Sequence, residues 1–211
     1  MNPPAIAIDG PAASGKSTVA KLIARELGYT FINTGAMYRA VTWYALQKEI
    51  DPANTAAVIA LLGDIPLSFG KDGAVSTVMC EGRVLSSELT ETEVNDNVSA
   101  IAAIPEVRAL LVEKQREYNQ KEPVVMEGRD IGTVVFPHTP FKYFVTASEE
   151  VRAARRAAQG LTDSIAERDR KDSARACAPL VMADDATLVD TSDLSIEQVV
   201  AHIVADIKSK I

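Results

Sequence analysis

The stretch "GPAASGKS", residues 10–17, leaves this chain the least freedom. It fits G-x-x-x-x-G-K-[ST] without a gap. The apolar run "AIAID" at 5–9 precedes it, and an amphipathic pattern to about Leu27, closed by Gly28, follows. A strand that turns through such a loop into a helix wraps its backbone N–H groups around an anion. Gly10 and Gly15 allow that path, Pro11, Ala12, Ala13 and Ser14 form the turn between them, and the helix N-terminus adds its positive end. Lys16 places a point charge on the β and γ phosphates of a bound triphosphate. Ser17 offers a hydroxyl to Mg²⁺, and Thr18 backs the loop. The expectation is an α/β chain that binds a nucleoside triphosphate with magnesium.

The rest of the chain alternates in keeping with that start. Short apolar runs at 30–33 ("TFIN"), 124–126, 141–146 ("FKYFVT") and 187–190 ("TLVD") read as strands. Residues 36–48 and 55–62 read as helices, and a helical pattern trails each later strand. In the last helix Ile196, Val199, Val200, Ile203, Val204 and Ile207 make one stripe for the core, with Ser195 and Gln198 spaced as a capping box. Strands alternating with helices predict a P-loop three-layer fold, a parallel sheet flanked by helices. One stretch departs from the alternation. Between 64 and 92, glycines at 70, 73 and 82 punctuate short runs such as "AVSTVMCEG" and "RVLSSELT". These read as small antiparallel strands forming a lobe inserted into the body, after which helices at about 93–103 and 106–120 return the chain to the sheet.

Composition narrows the function. A chain of 211 residues, 47% hydrophobic, suits a single domain with a real core. A net charge of −7 argues against a sequence-independent grip on DNA or RNA, which needs a basic surface. Cys80 and Cys177 stand far apart, with no CxxC and no histidine cluster, so they read as ordinary thiols and not as a zinc site or a disulfide. No apolar run approaches the ~20 residues that span a bilayer. The N-terminus has neither the basic segment nor the apolar core of a signal peptide. A cytoplasmic protein acting away from membranes and nucleic acid is expected, and a monomer.

What accepts the phosphoryl group is less direct. The N-K-x-D guanine reader of GTPase switches is missing, and water-activating ATPases usually belong to longer chains. A short chain with an inserted lobe suits a kinase for a small acceptor. Its arginines agree. Arg39 follows the "NTG" turn by one helical turn, and Arg152, Arg155 and Arg156 share one helix face by spacing. Arg168, Arg170 and Arg175 sit in the polar run "AERDRKDSAR". Arginines near strand ends suit phosphate clamping, though each could equally serve in a surface ion pair. In "MEGRDIGTVVFP", residues 126–137, Glu127, Arg129 and Asp130 crowd both signs of charge where a strand ends. Two other readings stay open: a kinase for UMP or a shikimate-like alcohol, and a nucleotide-binding regulatory module without turnover.

These blocks together resemble the bacterial cytidylate (CMP) kinases of the nucleoside monophosphate kinase family. "IDGPAASGKSTVAK", "NTGAMYRA", "VSAIAAIPEVRALL", "EGRDIGTVVFP" and "ERDRKDSARACAPL" occur in the family's order and cover nearly the whole length. The resemblance implies phosphoryl transfer from ATP to CMP and dCMP, with the insert at 64–92 at the monophosphate site and a lid at about 157–170. It implies that Arg39, Arg129 and Arg175 hold the acceptor phosphate, beside Thr34. Arg156 then approaches the transferring group, and Arg168 and Asp172 contact the ribose. Asp130 would accept from cytosine N4, Arg108 would donate to N3 or O2, and Ser99 would add a hydroxyl bond. Glu127, where other members carry Asp, would hold a water of the magnesium shell. The stretch between "RAARRA" and "ERDR" is shorter than is usual in the family.

Overall fold

The structure is a computed structural model that describes residues 3–158 and 165–210, with the side chains of Ile165, Ala166 and Arg168 left out. An interior strand of the sheet is β1 (Ala5–Asp9), every residue of which is buried. Its neighbours, both parallel to it, are β6 (Val124–Gly128) and β7 (Lys142–Thr146). On one face Ile6 and Ile8 join Val125 against Val19 and Ile23 of α1 (Lys16–Leu27) and Val199, Ile203 and Ile207 of α8 (Ile196–Lys210). On the other, Ala5 and Ala7 join Val124 and Met126 against Val112 of α5 (Pro105–Lys121). The continuous apolar run therefore resolves into two faces, each covered by helix, as a central parallel strand requires.

Beyond β6 lies β2 (Thr30–Asn33), and beyond β7 lies β8 (Thr187–Asp190), both parallel to their neighbours. The segment at 64–92 forms β3 (Leu67–Asp72), β4 (Val75–Cys80) and β5 (Arg83–Val84), paired antiparallel to one another. It does not stand apart as a second sheet. The pair Phe31↔Val75 joins β4 to β2, so the strand order is β3-β4-β2-β6-β1-β7-β8, with β5 beside β4. Val78, Cys80 and Leu85 of this segment pack with Tyr38 and Val41 of α2 (Thr34–Gln47), Val58 of α3 (Thr55–Leu62), and Val98 and Ile101 of α4 (Thr92–Ile101). The remaining helices are α6 (Glu149–Ala158) and α7 (Ile165–Ser173). Of the lid read at 157–170, residues 159–164 lie outside the described residues. No described helix is long and apolar enough to cross a membrane.

Several elements differ from the pattern reading for local reasons. β6 runs on through Glu127 and Gly128, because its ladder with β1 continues through Ile8↔Glu127 and Asp9↔Gly128. α2 begins at Thr34, capped by the Asn33 side chain, which accepts from Ala36 N at 3.0 Å. No regular helix trails β6. Ile131–Val135 makes a single π turn instead. Ser195 and Gln198 do form the reciprocal capping box, with Ser195 N donating to Gln198 Oε1 at 2.8 Å and Gln198 N to Ser195 Oγ at 3.3 Å. Ile196, read as part of the core stripe, is 44% exposed, because the first turn of α8 overhangs the cavity described below.

Two glycines with positive φ make a paired prediction. At Gly10 (φ +151°) an added Cβ would stand 2.0 Å from the Val145 carbonyl oxygen, whereas at Gly28 (φ +69°) it would meet nothing within 4 Å. Gly28→Ala costs only the left-handed backbone penalty, about 1 kcal/mol, or about 2–4 °C in Tm for a chain of this size. Gly10→Ala must push β1 and β7 apart and is expected to lower Tm several times further or to prevent folding. Thermal melts of the two variants check this, and equal losses would overturn it.

Candidate functional site

The loops that leave the carboxyl ends of β1, β2, β6 and β8 converge on one cavity of about 520 Å³. Residues Ala12, Ala13, Ser14, Gly15, Lys16, Ser17 and Thr18 form one wall. Thr34 and Arg39 of α2, Ser99 of α4 and Arg108 of α5 reach it from other directions, as do Glu127, Arg129 and Asp130 after β6. Arg156 of α6 and Asp172 and Arg175, on and just after α7, complete the set. Gly10 and Pro11 lie behind the wall, where the Pro11 carbonyl accepts from Lys16 Nζ at 2.9 Å. Arg168 lies on α7, and its side chain is outside the described residues. Among the described residues seven cationic side chains line the cavity against three carboxylates, in a chain of net charge −7, so the site concentrates positive potential and suits a multiply charged anion.

At the loop end, Ser17 Oγ donates to Glu127 Oε1 at 2.8 Å, and Thr34 Oγ1 donates to the Glu127 carbonyl at 2.8 Å. This places a hydroxyl and a buried carboxylate side by side below the loop. The arginines of α6 separate in role. Arg152 donates to the Ala12 carbonyl at 3.1 Å and pairs with Asp169, whose other oxygen accepts from Ala12 N at 3.0 Å. Arg155 donates to the Ser14 carbonyl at 3.2 Å, to Thr191 Oγ1 at 3.0 Å and to the Thr191 carbonyl at 2.9 Å. Both brace the loop, and Arg155 also lines the cavity with Arg156.

At the far end Asp130 pairs with Arg108 of α5 and not with its chain neighbour Arg129. Arg108 also donates to the Ala102 carbonyl at 3.2 Å, and its guanidinium lies 5.5 Å from the centre of the Tyr38 ring. Burial pushes the Asp130 carboxyl above its usual range, and Arg108 opposes that shift. Burial likewise raises the Tyr38 phenol to about 12. Between the two ends, Asp172 holds two guanidiniums at once. Arg129 Nε donates to Oδ2 at 2.9 Å, and Arg175 donates to Oδ1. Burial lowers the Arg175 pKa, and Asp172 counters it. Arg39 folds toward the first turn of α2, where a Cβ on Gly35 would stand 2.9 Å from its Nη1.

Three contributors escape the sequence reading. Tyr38 and Thr191 carry no charge to draw notice, and Asp9 sits at the end of an apolar strand. The Asp9 carboxylate accepts the backbone N–H of Ile131 at 2.8 Å and of Gly132 at 2.7 Å. Burial raises its pKa to about 7, against the pull of those two bonds. The one sequence signal is a carboxylate closing the run "AIAID" immediately before the loop.

The chain is similar to known proteins. Residues 6–209 match the family model described as cytidylate kinase. A cytidylate kinase of Lactiplantibacillus plantarum is 45% identical over 97% of this chain and 95% of its own length. One from Streptococcus pneumoniae is 47% identical over 97% of each chain. Among solved structures, a Thermus thermophilus protein aligns over 100% of this chain and 99% of its own with a TM-score of 0.51 at 19% identity. A gluconokinase from Sinorhizobium meliloti aligns over 98% and 93% with a TM-score of 0.50 at 19% identity. These last two bear on the fold alone.

The shared carboxylate generates a prediction. Asp172→Asn removes the charge held between Arg129 and Arg175, whose side chains are 16% and 8% exposed. Breaking a buried pair of this kind costs about 3 kcal/mol, so Tm falls by several degrees. Sulfate in the millimolar range should recover more of that loss in the variant than it adds to the unaltered protein, because it gives both guanidiniums a new counter-charge. An equal response of the two proteins to sulfate would overturn this account.

Proposed function

The chain belongs to the cytidylate kinase family, and we propose that it transfers the γ-phosphoryl group of ATP to CMP, and to dCMP, giving the diphosphate and ADP. One observation carries the reading: a single cavity joins the phosphate loop to the Arg108–Asp130 pair, with Arg129 and Arg175 between them. A carboxylate beside a guanidinium complements cytosine. Asp130 can accept from the N4 amino group while Arg108 donates to N3 or O2, and Ser99 lines the same cavity with a further hydroxyl. Uracil reverses the pattern at N3 and position 4 and meets the pair with mismatched donors and acceptors.

The roles then follow from position. Lys16 and the loop amides hold the ATP phosphates. Arg39, Arg129 and Arg175 hold the acceptor phosphate in line, and Arg156 faces the transferring group. Such a reaction depends on positioning and charge stabilisation. The residues present fit Mg²⁺ carried by ATP. The described residues hold no group of three or more His, Cys, Asp or Glu side chains able to cage a metal by themselves. A nucleotide-borne ion needs less: the Ser17 hydroxyl and, through water, Glu127, which already share a hydrogen bond. Bound magnesium would supply charge neutralisation at the β and γ phosphates. Asp172 keeps spare lone pairs beyond its two arginines and can take a ribose hydroxyl, and Arg168 belongs to the same reading.

The alcohol-kinase alternative is disfavoured by the carboxylates. An alcohol acceptor needs a base, and Glu127, Asp130 and Asp172 each already hold a partner. A phosphate acceptor arrives ionised and needs none.

The test is ADP release measured over CMP, dCMP, UMP and shikimate. CMP and dCMP should give the highest kcat/KM, and Lys16→Ala should abolish turnover with Tm retained. Binding of ATP without any CMP-dependent ADP release would point to a regulatory module instead.

Asp130 provides the sharper measurement. Asp130→Ala should cut kcat/KM for CMP far more than for UMP, since a site built to bond one edge can discriminate by several decades. Asp130→Asn should narrow the CMP/UMP gap further, because its amide can donate to uracil O4. Both variants leave Arg108 without its carboxylate, so both should melt lower whichever role Asp130 has. The ratio of the two specificity constants decides the matter, and an unchanged ratio would make Asp130 a brace.

A further inference from the structure

Asp9 takes no part in the chemistry described above and does not line the cavity. It is the last residue of β1, adjacent to the Gly10 that opens the phosphate loop. Its two carboxylate oxygens are both spent on backbone. Oδ1 accepts from Ile131 N at 2.8 Å and Oδ2 from Gly132 N at 2.7 Å. Those residues directly follow Arg129 and Asp130 in the chain. They also begin the π turn at Ile131–Val135, whose first N–H groups have no partners within the turn itself. The Asp9 backbone is held independently, opposite Gly128 in β6 and Phe144 in β7. The fit is close. A Cβ on Gly132 would stand 3.3 Å from Asp9 Oδ2 and 3.2 Å from Lys142 Cδ.

From this arrangement we infer that Asp9 is a positioning residue: by holding the Ile131 and Gly132 amides it fixes where Arg129 and Asp130 stand relative to the phosphate loop, and so sets acceptor affinity and base selectivity. The inference rests on the reading of Arg129 and Asp130 as acceptor-binding residues. Its physical content is that one rigid side chain spans the two half-sites. The ladder between β1 and β6 ends at Gly128, and beyond it the backbone bonds of this segment are internal to the turn, where the Asp130 carbonyl accepts from Val134 N at 2.8 Å, so they tie Asp130 to the turn and not to the sheet. Arg129 and Asp130 then diverge toward different partners, Asp172 and Arg108. With the two amides fixed immediately after them, the pair is held from both sides. A displacement of a few tenths of an ångström at Ile131 passes directly to Asp130, while the phosphate loop, held separately by Arg152, Asp169 and Arg155, stays in place.

Two variants test this. Asp9→Asn keeps the shape but turns one acceptor into an NH₂ group facing a backbone N–H. Gly132→Ala keeps the carboxylate and crowds the same contact from the other side. Steady-state kinetics with CMP and UMP are measured beside ATP titration without acceptor and a melting curve. Asp9→Asn should raise KM for CMP about tenfold or more and lower the CMP/UMP preference by a similar factor. The ATP Kd should stay within about twofold and kcat at saturating CMP should largely persist. Gly132→Ala should shift the same two quantities in the same direction by less. Unchanged KM and unchanged preference in a folded Asp9→Asn protein overturn the inference, as does a proportional loss of ATP and acceptor affinity. Should Asp9→Asn fail to fold, Gly132→Ala decides, and an unaltered CMP/UMP preference there overturns it. Failure of the unaltered protein to release ADP with CMP would overturn the acceptor reading itself, and that measurement comes first.

Discussion

The register between β1 and β6 is the constraint on which the site depends. Parallel pairing from Ala5↔Val124 to Asp9↔Gly128 brings both strands to their carboxyl ends at the same level. The phosphate loop leaves from one and the Glu127–Asp130 segment from the other. Contact between Ser17 and Glu127 follows from that alignment, because α1 starts directly above the end of β6. A slip of one residue would exchange the two faces of the strand, setting Ile6 and Ile8 where Ala5 and Ala7 now meet α5. The difference in side-chain size between the faces therefore fixes, at a distance, the geometry of a polar site that contains none of those residues.

A second constraint is electrostatic. Gathering cations in one cavity of an acidic chain is costly unless each is held. Arg108, Arg129 and Arg175 all pair with carboxylates, and Arg152 and Arg155 donate to loop carbonyls. Buried ion pairs of this kind contribute little net stability, since desolvation offsets most of the attraction. What they do is orient. Each arginine side chain carries about 2 kcal/mol of rotamer entropy, and fixing it before the ligand arrives removes that cost from binding. Asp172 does this twice, one carboxylate orienting two guanidiniums through its two oxygens.

Legibility in the sequence follows how local each interaction is. The loop at 10–17 is readable because its geometry demands particular residues at fixed spacing, and the strand and helix around it are readable from period alone. Arg152, Arg155 and Arg156 are correctly grouped by helical spacing, but spacing cannot say that the first two turn to loop carbonyls. Chain order leaves the partner of Asp130 ambiguous, with Arg129 next door. Only the geometry after Gly128 sends it to Arg108, twenty-two residues earlier in the chain. Asp9 is the least legible, since its partners are backbone amides on a segment whose own shape, a π turn, has no sequence signature. The edge strands at 67–84 read correctly as antiparallel, yet their attachment to β2 through Phe31↔Val75 is a long-range pairing that no local pattern encodes.

The distribution of carboxylates bears on why a phosphate, and not a hydroxyl, suits this cavity. A base must be free to take a proton as the nucleophile attacks. Each of the three carboxylates lining the cavity stabilises something else. Glu127 accepts from Ser17, Asp130 neutralises Arg108, and Asp172 sits between Arg129 and Arg175. Protonating Asp130 or Asp172 would strip an arginine of its counter-charge in a partly dry site, and protonating Glu127 would compete with the bond it accepts from Ser17, each at a cost set against the reaction. An acceptor that arrives as a dianion avoids that step. Under the proposed reading it would also bring charge for Arg129 and Arg175 in place of that of Asp172, which would leave the carboxylate to a sugar hydroxyl. On this view the same residue that orients the arginines in the empty site helps to hold the ribose in the filled one, and the two roles follow from a single pair of oxygens.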